Sequence, residues 1–242
     1  EIKQAVANIN AYLINAQNIY IEKLSKSISD LPEMSFGSMP NDGGYLILNI
    51  DEHKDLLSRY PMSTKFVKHL KGSKEFIDNL PRWCLWIDDK DLEEAMKIEF
   101  IEKRIENLKK LRNESGRKAT NSLAKNAHRF GEIRFKPTPS IIIPGHSSEN
   151  RDYIPMGFLG PETIISNAAF AIYDADPWIF AILTSRLHMT WVRTVGGRIK
   201  TDYRYSAQLC YNTFPMPPPP TWASMWNRPT CVRPMESGKR SY

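Results

Sequence analysis

The chain has 242 residues, with 41% hydrophobic and 25% charged side chains and a net charge of +6. These are ordinary globular values, which exclude a disordered or fibrous chain, and 242 residues suffice for one large domain or two small ones. The apolar runs, Ile141-Ile142-Ile143 among them, fall far short of the roughly 20 residues that span a bilayer. The charge is unevenly spread. Residues 1–96 carry 11 Lys and Arg against 15 Asp and Glu, whereas 97–242 carry 22 against 12. A polyanion would bind the second part.

Ile19-Tyr20-Ile21 reads as a short strand and Asp30-Leu31-Pro32 as a turn. Phe36 to Gly44 (FGSMPNDGG) precedes Tyr45-Leu46-Ile47-Leu48, a second strand. No helix and no Gly-Lys-Ser/Thr ending follow those glycines, so they make a structural turn rather than a phosphate loop. Short helices are expected over Asp51–Leu57 and Ser63–Leu70, and a strand buried on both faces over Trp83-Cys84-Leu85-Trp86-Ile87. Residues 92–112 carry the clearest helical spacing, through Ile98, Ile101, Ile105, Leu108 and either Leu111 or Arg112. Glu99/Lys103 and Glu106/Lys110 are i,i+4 pairs on its outer face.

Beyond the polar, basic stretch 113–131, strands are expected at Glu132–Phe135 and Ser140–Ile143. The polar loop Gly145 to Pro155 and the apolar run Asn167–Tyr173 come next. Asp176-Pro177 starts a helix through Leu187, with proline at its first position; His188 to Thr194 continues or breaks it. Residues 215–242 hold 7 of the 17 prolines, so this tail is expected to be extended and outside the core. The chain opens without methionine, as a trimmed piece of something longer would. Mixed short strands and helices without a βαβ rhythm give an α+β fold.

Catalytic patterns are scarce. The five histidines are scattered, without HExxH spacing. His146 beside Ser147 and Ser148 lacks a GxSxG elbow. Cys84, Cys210 and Cys231 form neither a disulfide framework nor a metal knuckle, which fits a reducing, cytoplasmic setting. The informative segment is Gly196-Gly197-Arg198-Ile199-Lys200-Thr201-Asp202-Tyr203-Arg204-Tyr205-Ser206. In one extended strand Arg198, Lys200, Asp202 and Arg204 would share an edge. Such an edge could probe a DNA groove, Arg or Lys donating to guanine and Asp accepting from cytosine. A solvated salt-bridge ladder is the alternative.

Several segments resemble the region after the methyltransferase domain in MmeI-like (Type IIL) restriction-modification enzymes. They are Ile9–Leu13, FGSMPNDGG, Arg82–Trp86, Ser147–Pro155, His188–Trp191, Gly197–Ser206 and Tyr211–Pro215. The resemblance implies a target recognition domain over 31–215. Residues 1–30 would be a connector from an upstream methyltransferase domain, and 216–242 a Pro-rich tail that departs from the family. It implies double-stranded DNA as partner, with no membrane. The parent would methylate adenine with S-adenosylmethionine and cleave with a divalent metal, neither held by this fragment.

By the same resemblance, Lys200 and Asp202 read the outermost base pair, next to the methylated adenine. Some members carry Glu and Arg there, so Lys and Asp should prefer the reversed pair, with G 3′ of the adenine. Arg204, with room left by Ala168, would accept either purine on the interior side, unless Ala168 is core. Ser147, Ser148, Arg151 and Arg198 are expected to bind phosphates, although serines also cap loops. Two other readings stay open. One is a free-standing nuclease or hydrolase using His146 and Ser147. The other is a protein-interaction module using Pro217–Pro220.

Overall fold

The computed structural model describes residues 5–10, 13, 15–18 and 20–218. In chain order its strands are β1 (Met34–Phe36), β2 (Ile47–Leu48), β3 (Val67–Lys71), β4 (Trp83–Leu85), β5 (Ser140–Pro144), β6 (His146–Ser147), β7 (Gly157–Leu159), β8 (Thr163–Ile165), β9 (Ala169–Tyr173), β10 (Gly197–Ile199) and β11 (Asp202–Arg204). Its helices are α1 (Ile50–Arg59), α2 (Ser73–Ile77), α3 (Leu92–Ala95), α4 (Glu99–Asn113), α5 (Lys118–Ser122), α6 (Pro177–Leu183) and α7 (Arg186–Val195). The α+β expectation holds. The strands form three sheets, ordered β1-β9-β5-β7, β2-β4-β3-β8 and β10-β11-β6.

In the β1-β9-β5-β7 sheet every residue of β5 and β9 is buried. Side chains alternate along a strand, so Ile141, Ile143 and Ile172 pack with Ile179 and Leu183 of α6 and Met189 and Val192 of α7. Ile142 and Ala171 pack instead with Ile165 of β8, toward the β2-β4-β3-β8 sheet. The far side of that second sheet is closed by Leu56 of α1 and by Ile101, Ile105 and Leu108 of α4. The chain crosses from β8 to β9 through Ser166-Asn167-Ala168, so this short loop joins the two sheets.

The FGSMPNDGG segment locks that junction. Ser38 bridges to Ser166 and Met39 to Glu132. A Cβ on Gly37 would lie 2.3 Å from the Ile165 carbonyl oxygen, so no other residue fits there without moving the backbone. Asn41, Gly43 and Gly44 all have positive φ, the turn expected from the sequence. The guanidinium of Arg112, 1% exposed, donates to the carbonyls of Pro40, Asn41, Leu123, Asn126 and Arg129. Arg112, not Leu111, is the residue α4 turns inward.

Several expected elements are revised. Ser63–Leu70 is not an α-helix: a 3-10 turn over Pro61–Phe66 leads into β3, which fills the slot between β4 and β8. The 92–112 helix breaks at Met96–Ile98, where Ile98 is extended and buried. Glu132–Phe135 is not a strand, because the Ser38 hydroxyl accepts from the backbone N–H groups of Arg134 and Phe135. Tyr20 and Ile21 are irregular, in a segment tied to the π-helical turn over Ala207–Tyr211: Leu24 N–H donates to Gln208 O at 3.1 Å. Ile19 lies outside the described residues. The helix begun at Pro177 ends at Leu183, and Ser185 caps α7 as a separate helix. At the C-terminus Met216 is buried in the core, contrary to the expected tail. Pro217 and Pro218 are exposed, and 219–242 lie outside the described residues.

Candidate nucleic-acid interface

β10 and β11 form a hairpin with a two-residue loop, Lys200-Thr201, in which Lys200 has φ +56°. Positive φ at the first loop residue is the hand that suits the twist of short hairpins. The turn overturns the single edge expected for Arg198, Lys200, Asp202 and Arg204. Lys200 sits at the tip. Arg198 lies on β10 directly across from Tyr203, with its guanidinium 3.9 Å from that ring's centroid. Its Nη1 donates to the Thr201 carbonyl at 2.9 Å. On β11, Asp202 and Arg204 are exposed on one side of the strand while Tyr203 points inward.

Two tyrosines anchor the hairpin to α7. The Tyr203 hydroxyl accepts from Arg193 Nε at 3.2 Å. The Tyr205 hydroxyl shares a hydrogen bond of 2.9 Å with His188 Nε2. Burial pushes the His188 pKa down to about 4, so the ring is neutral at pH 7. Burial, with Cys210 and Tyr211 beside it, holds the Tyr205 phenol well above its ordinary range.

Below the hairpin, β11 pairs with β6, setting Arg204 opposite His146 and Tyr203 opposite Ser147. His146 is exposed and Ser147 buried, because neighbours on a strand face opposite sides. The Ser147 hydroxyl is enclosed. That corrects its expected place among surface phosphate ligands, and it parts the His146/Ser147 pair that a hydrolase would need. In the following turn Ser148 Oγ accepts from Asn150 N–H at 3.3 Å and Ser148 O from Arg151 N–H at 3.2 Å. Asp202 Oδ1 accepts from Glu149 N–H at 3.1 Å, tying this turn to the hairpin.

An open cleft of about 780 Å³ lies alongside. Arg204, His146, Ala168, Asn167, Phe36 and Lys23 line it. The structure therefore brings Arg204 and Ala168 together, and Ala168 is exposed rather than core. The crossover loop that carries Ala168 is held from behind. Asn167 N–H donates to Ser38 O at 2.9 Å, and Ser73 Oγ donates to Ala168 O at 2.5 Å. Lys200, Asp202, Arg151 and Arg198 do not line the cleft; they occupy the hairpin and the turn beside it.

Sequence reasoning missed Phe36, His146 as a cleft residue, and Lys23. Phe36 was legible only as part of a glycine turn, and a two-residue β6 carries no periodicity. Among the described residues no group of three His, Cys, Asp or Glu side chains is placed to hold a metal. No helix among them is long and apolar enough to cross a membrane.

The family model of the MmeI target recognition domain matches residues 15–218, which contain every element above. The chain is 47% identical over 217 residues to DNA methyltransferase A of Bacillus subtilis (strain 168); the match covers 90% of this chain and 25% of that protein. It also matches a solved structure of the Type IIL restriction-modification enzyme MmeI in complex with DNA. There the TM-score is 0.81 and the identity 38%, over 90% of this chain and 29% of that one. The chain thus spans only about a quarter of the length of these relatives. With the family model matched over residues 15–218 and the fold shared at a TM-score of 0.81, the chain belongs to the MmeI target recognition domain family.

Proposed function

We propose that the chain is the module that reads a short sequence in duplex DNA for a restriction-modification enzyme. The observation that carries this reading is the shared cleft. Arg204 and Ala168 come from segments 36 residues apart in the chain and line one open groove, beside a hairpin that exposes Lys200 and Asp202. Arg204 would donate to a purine N7, which A and G both present. Lys200 would donate to guanine O6 and N7 and Asp202 would accept from cytosine N4, giving G 3′ of the modified adenine. Ser148, Arg151 and Arg198 would bind phosphates and set register.

In the same reading the parent protein methylates adenine with S-adenosylmethionine and cleaves DNA with a divalent metal, both held by parts beyond this chain. The chain before the reading domain leads in from an upstream methyltransferase domain, the reading domain runs on through the buried Met216, and the parent works in the cytoplasm on DNA.

The test is selection of bound duplexes from a random pool, followed by a salt titration on the selected sequence. We expect one short asymmetric site, bound with an affinity that falls steeply with salt. Arg151→Ala and Arg198→Ala should weaken binding to all duplexes alike and flatten the salt slope. Recovery of no common sequence, or turnover of DNA by the chain alone with metal, overturns the reading.

A further inference from the structure

Of the three aromatic side chains that line the cleft, Phe36, Phe170 and Tyr205, only Phe36 is exposed, and the proposed base readers make no use of it. It is 51% exposed. One face of its ring stacks on Phe170, with centroids 4.4 Å apart and planes at 24°. The two residues are cross-strand partners of β1 and β9. Phe170 is buried and packs in turn against Tyr205, at 6.3 Å between centroids, and Tyr205 is fixed to His188. A column of buried rings therefore backs Phe36, and it cannot sink inward. Its backbone is equally fixed, since the next residue, Gly37, abuts the Ile165 carbonyl. The exposed part of the ring lines the cleft that Arg204, His146 and Ala168 share.

An intact duplex offers a groove the edges of its bases; their faces are covered by stacking. A rigid aromatic face in a DNA cleft complements a base face only where that stacking is interrupted. Base–aromatic stacking of this kind tolerates any base, because every base has a π-face. Methylation of adenine within a duplex requires the target nucleotide to leave the stack, which supplies such an interruption. We propose that Phe36 is a stacking platform for a base uncovered when the duplex is distorted at the target site. The proposal rests on the DNA-reading function above, and it adds a contact independent of sequence to the contacts that read bases.

The experiment measures binding of the chain to its selected duplex and to copies carrying one mismatch at each position in turn, at fixed salt. A mismatch lowers the cost of unstacking. At one position it should tighten binding about tenfold, the scale of one base–aromatic stack. Phe36→Ala and Phe36→Leu should both lose that gain while still binding the matched duplex, and Phe36→Trp should keep it. The leucine variant preserves apolar volume, so it decides the matter if the alanine variant misfolds. The proposal is overturned if no mismatch tightens binding, or if the gain survives in Phe36→Leu. The second outcome would also follow if Phe36 were a seat for another domain. Loss of all salt-sensitive duplex binding in the unaltered chain would instead overturn the DNA-reading function itself.

Discussion

Arg112 carries a positive charge into the core, where five backbone carbonyls receive its protons. Burial lowers its pKa from the ordinary arginine range. Replacing it with methionine would keep the volume and strand those acceptors, at about 1–3 kcal/mol for each that water cannot reach. We expect Arg112→Met to lower unfolding stability by at least about 3 kcal/mol, read from the urea midpoint; a change under about 0.5 kcal/mol would refute the role. Hydrophobic spacing alone cannot choose between Leu111 and Arg112, because it has no term for a loop that needs donors. The residues proposed to read bases behave oppositely. Lys200 and Asp202 are exposed, so replacing them should cost only about 0.5–1.5 kcal/mol of stability, the scale of the one hydrogen bond Asp202 accepts from Glu149 N–H. In the parent enzyme, Lys200→Glu with Asp202→Arg should turn the outermost pair from G to C on the methylated strand, at about 1–3 kcal/mol per contact. Mapping of methylated sites checks this; an outermost base that stays G, or was never G, rejects the assignment.

Elements with strong local patterns were legible. The Ile141–Ile143 run became β5, the apolar run ending at Tyr173 became β9, and Asn49, Asp51 and Glu52 start α1 with a capping box. Elements made by distant partners were not. β3 is a strand because β4 and β8 flank it, and nothing between Ser63 and Leu70 announces either neighbour. The hairpin was legible in composition and missed in geometry: no Asn-Gly or Asp-Gly marks its turn, and a lysine takes the positive φ instead. Lys200→Gly should therefore stabilise the fold by up to about 1 kcal/mol, seen as a higher melting temperature, while removing the proposed donor to guanine. At the sheet junction the sign reverses. Gly37→Ala would drive a methyl into the Ile165 carbonyl, and thermal denaturation should show a loss of several kcal/mol, in the range of severe single substitutions. A wild-type melting temperature for that variant would show that the crossover loop can shift.

For the whole molecule, acid is the expected weakness. His188 is neutral in the fold, with a pKa near 4, whereas an unfolded histidine gains its proton below pH about 6.5. Protons therefore favour the unfolded chain. The contribution is fully present above pH about 6.5 and declines as pH falls, the loss reaching about 3 kcal/mol by pH about 4. Melting temperatures at pH about 7.5 and about 4.5 should differ more in the wild type than in His188→Gln; equal differences would place the acid sensitivity elsewhere. The topology has a second consequence, in time rather than in energy. β1 finds its partner only at β9, and Ser29 Oγ donates to the carbonyl of Phe214, 185 residues downstream. Tyr211 likewise closes onto Pro32. Contacts this distant in sequence slow folding, because a long loop must close before they form. On a ribosome the first strand would wait, unpaired, until nearly the whole domain had emerged, so this module should acquire its native form late and all at once, and truncation short of Met216 should leave the early segments as prey for proteases.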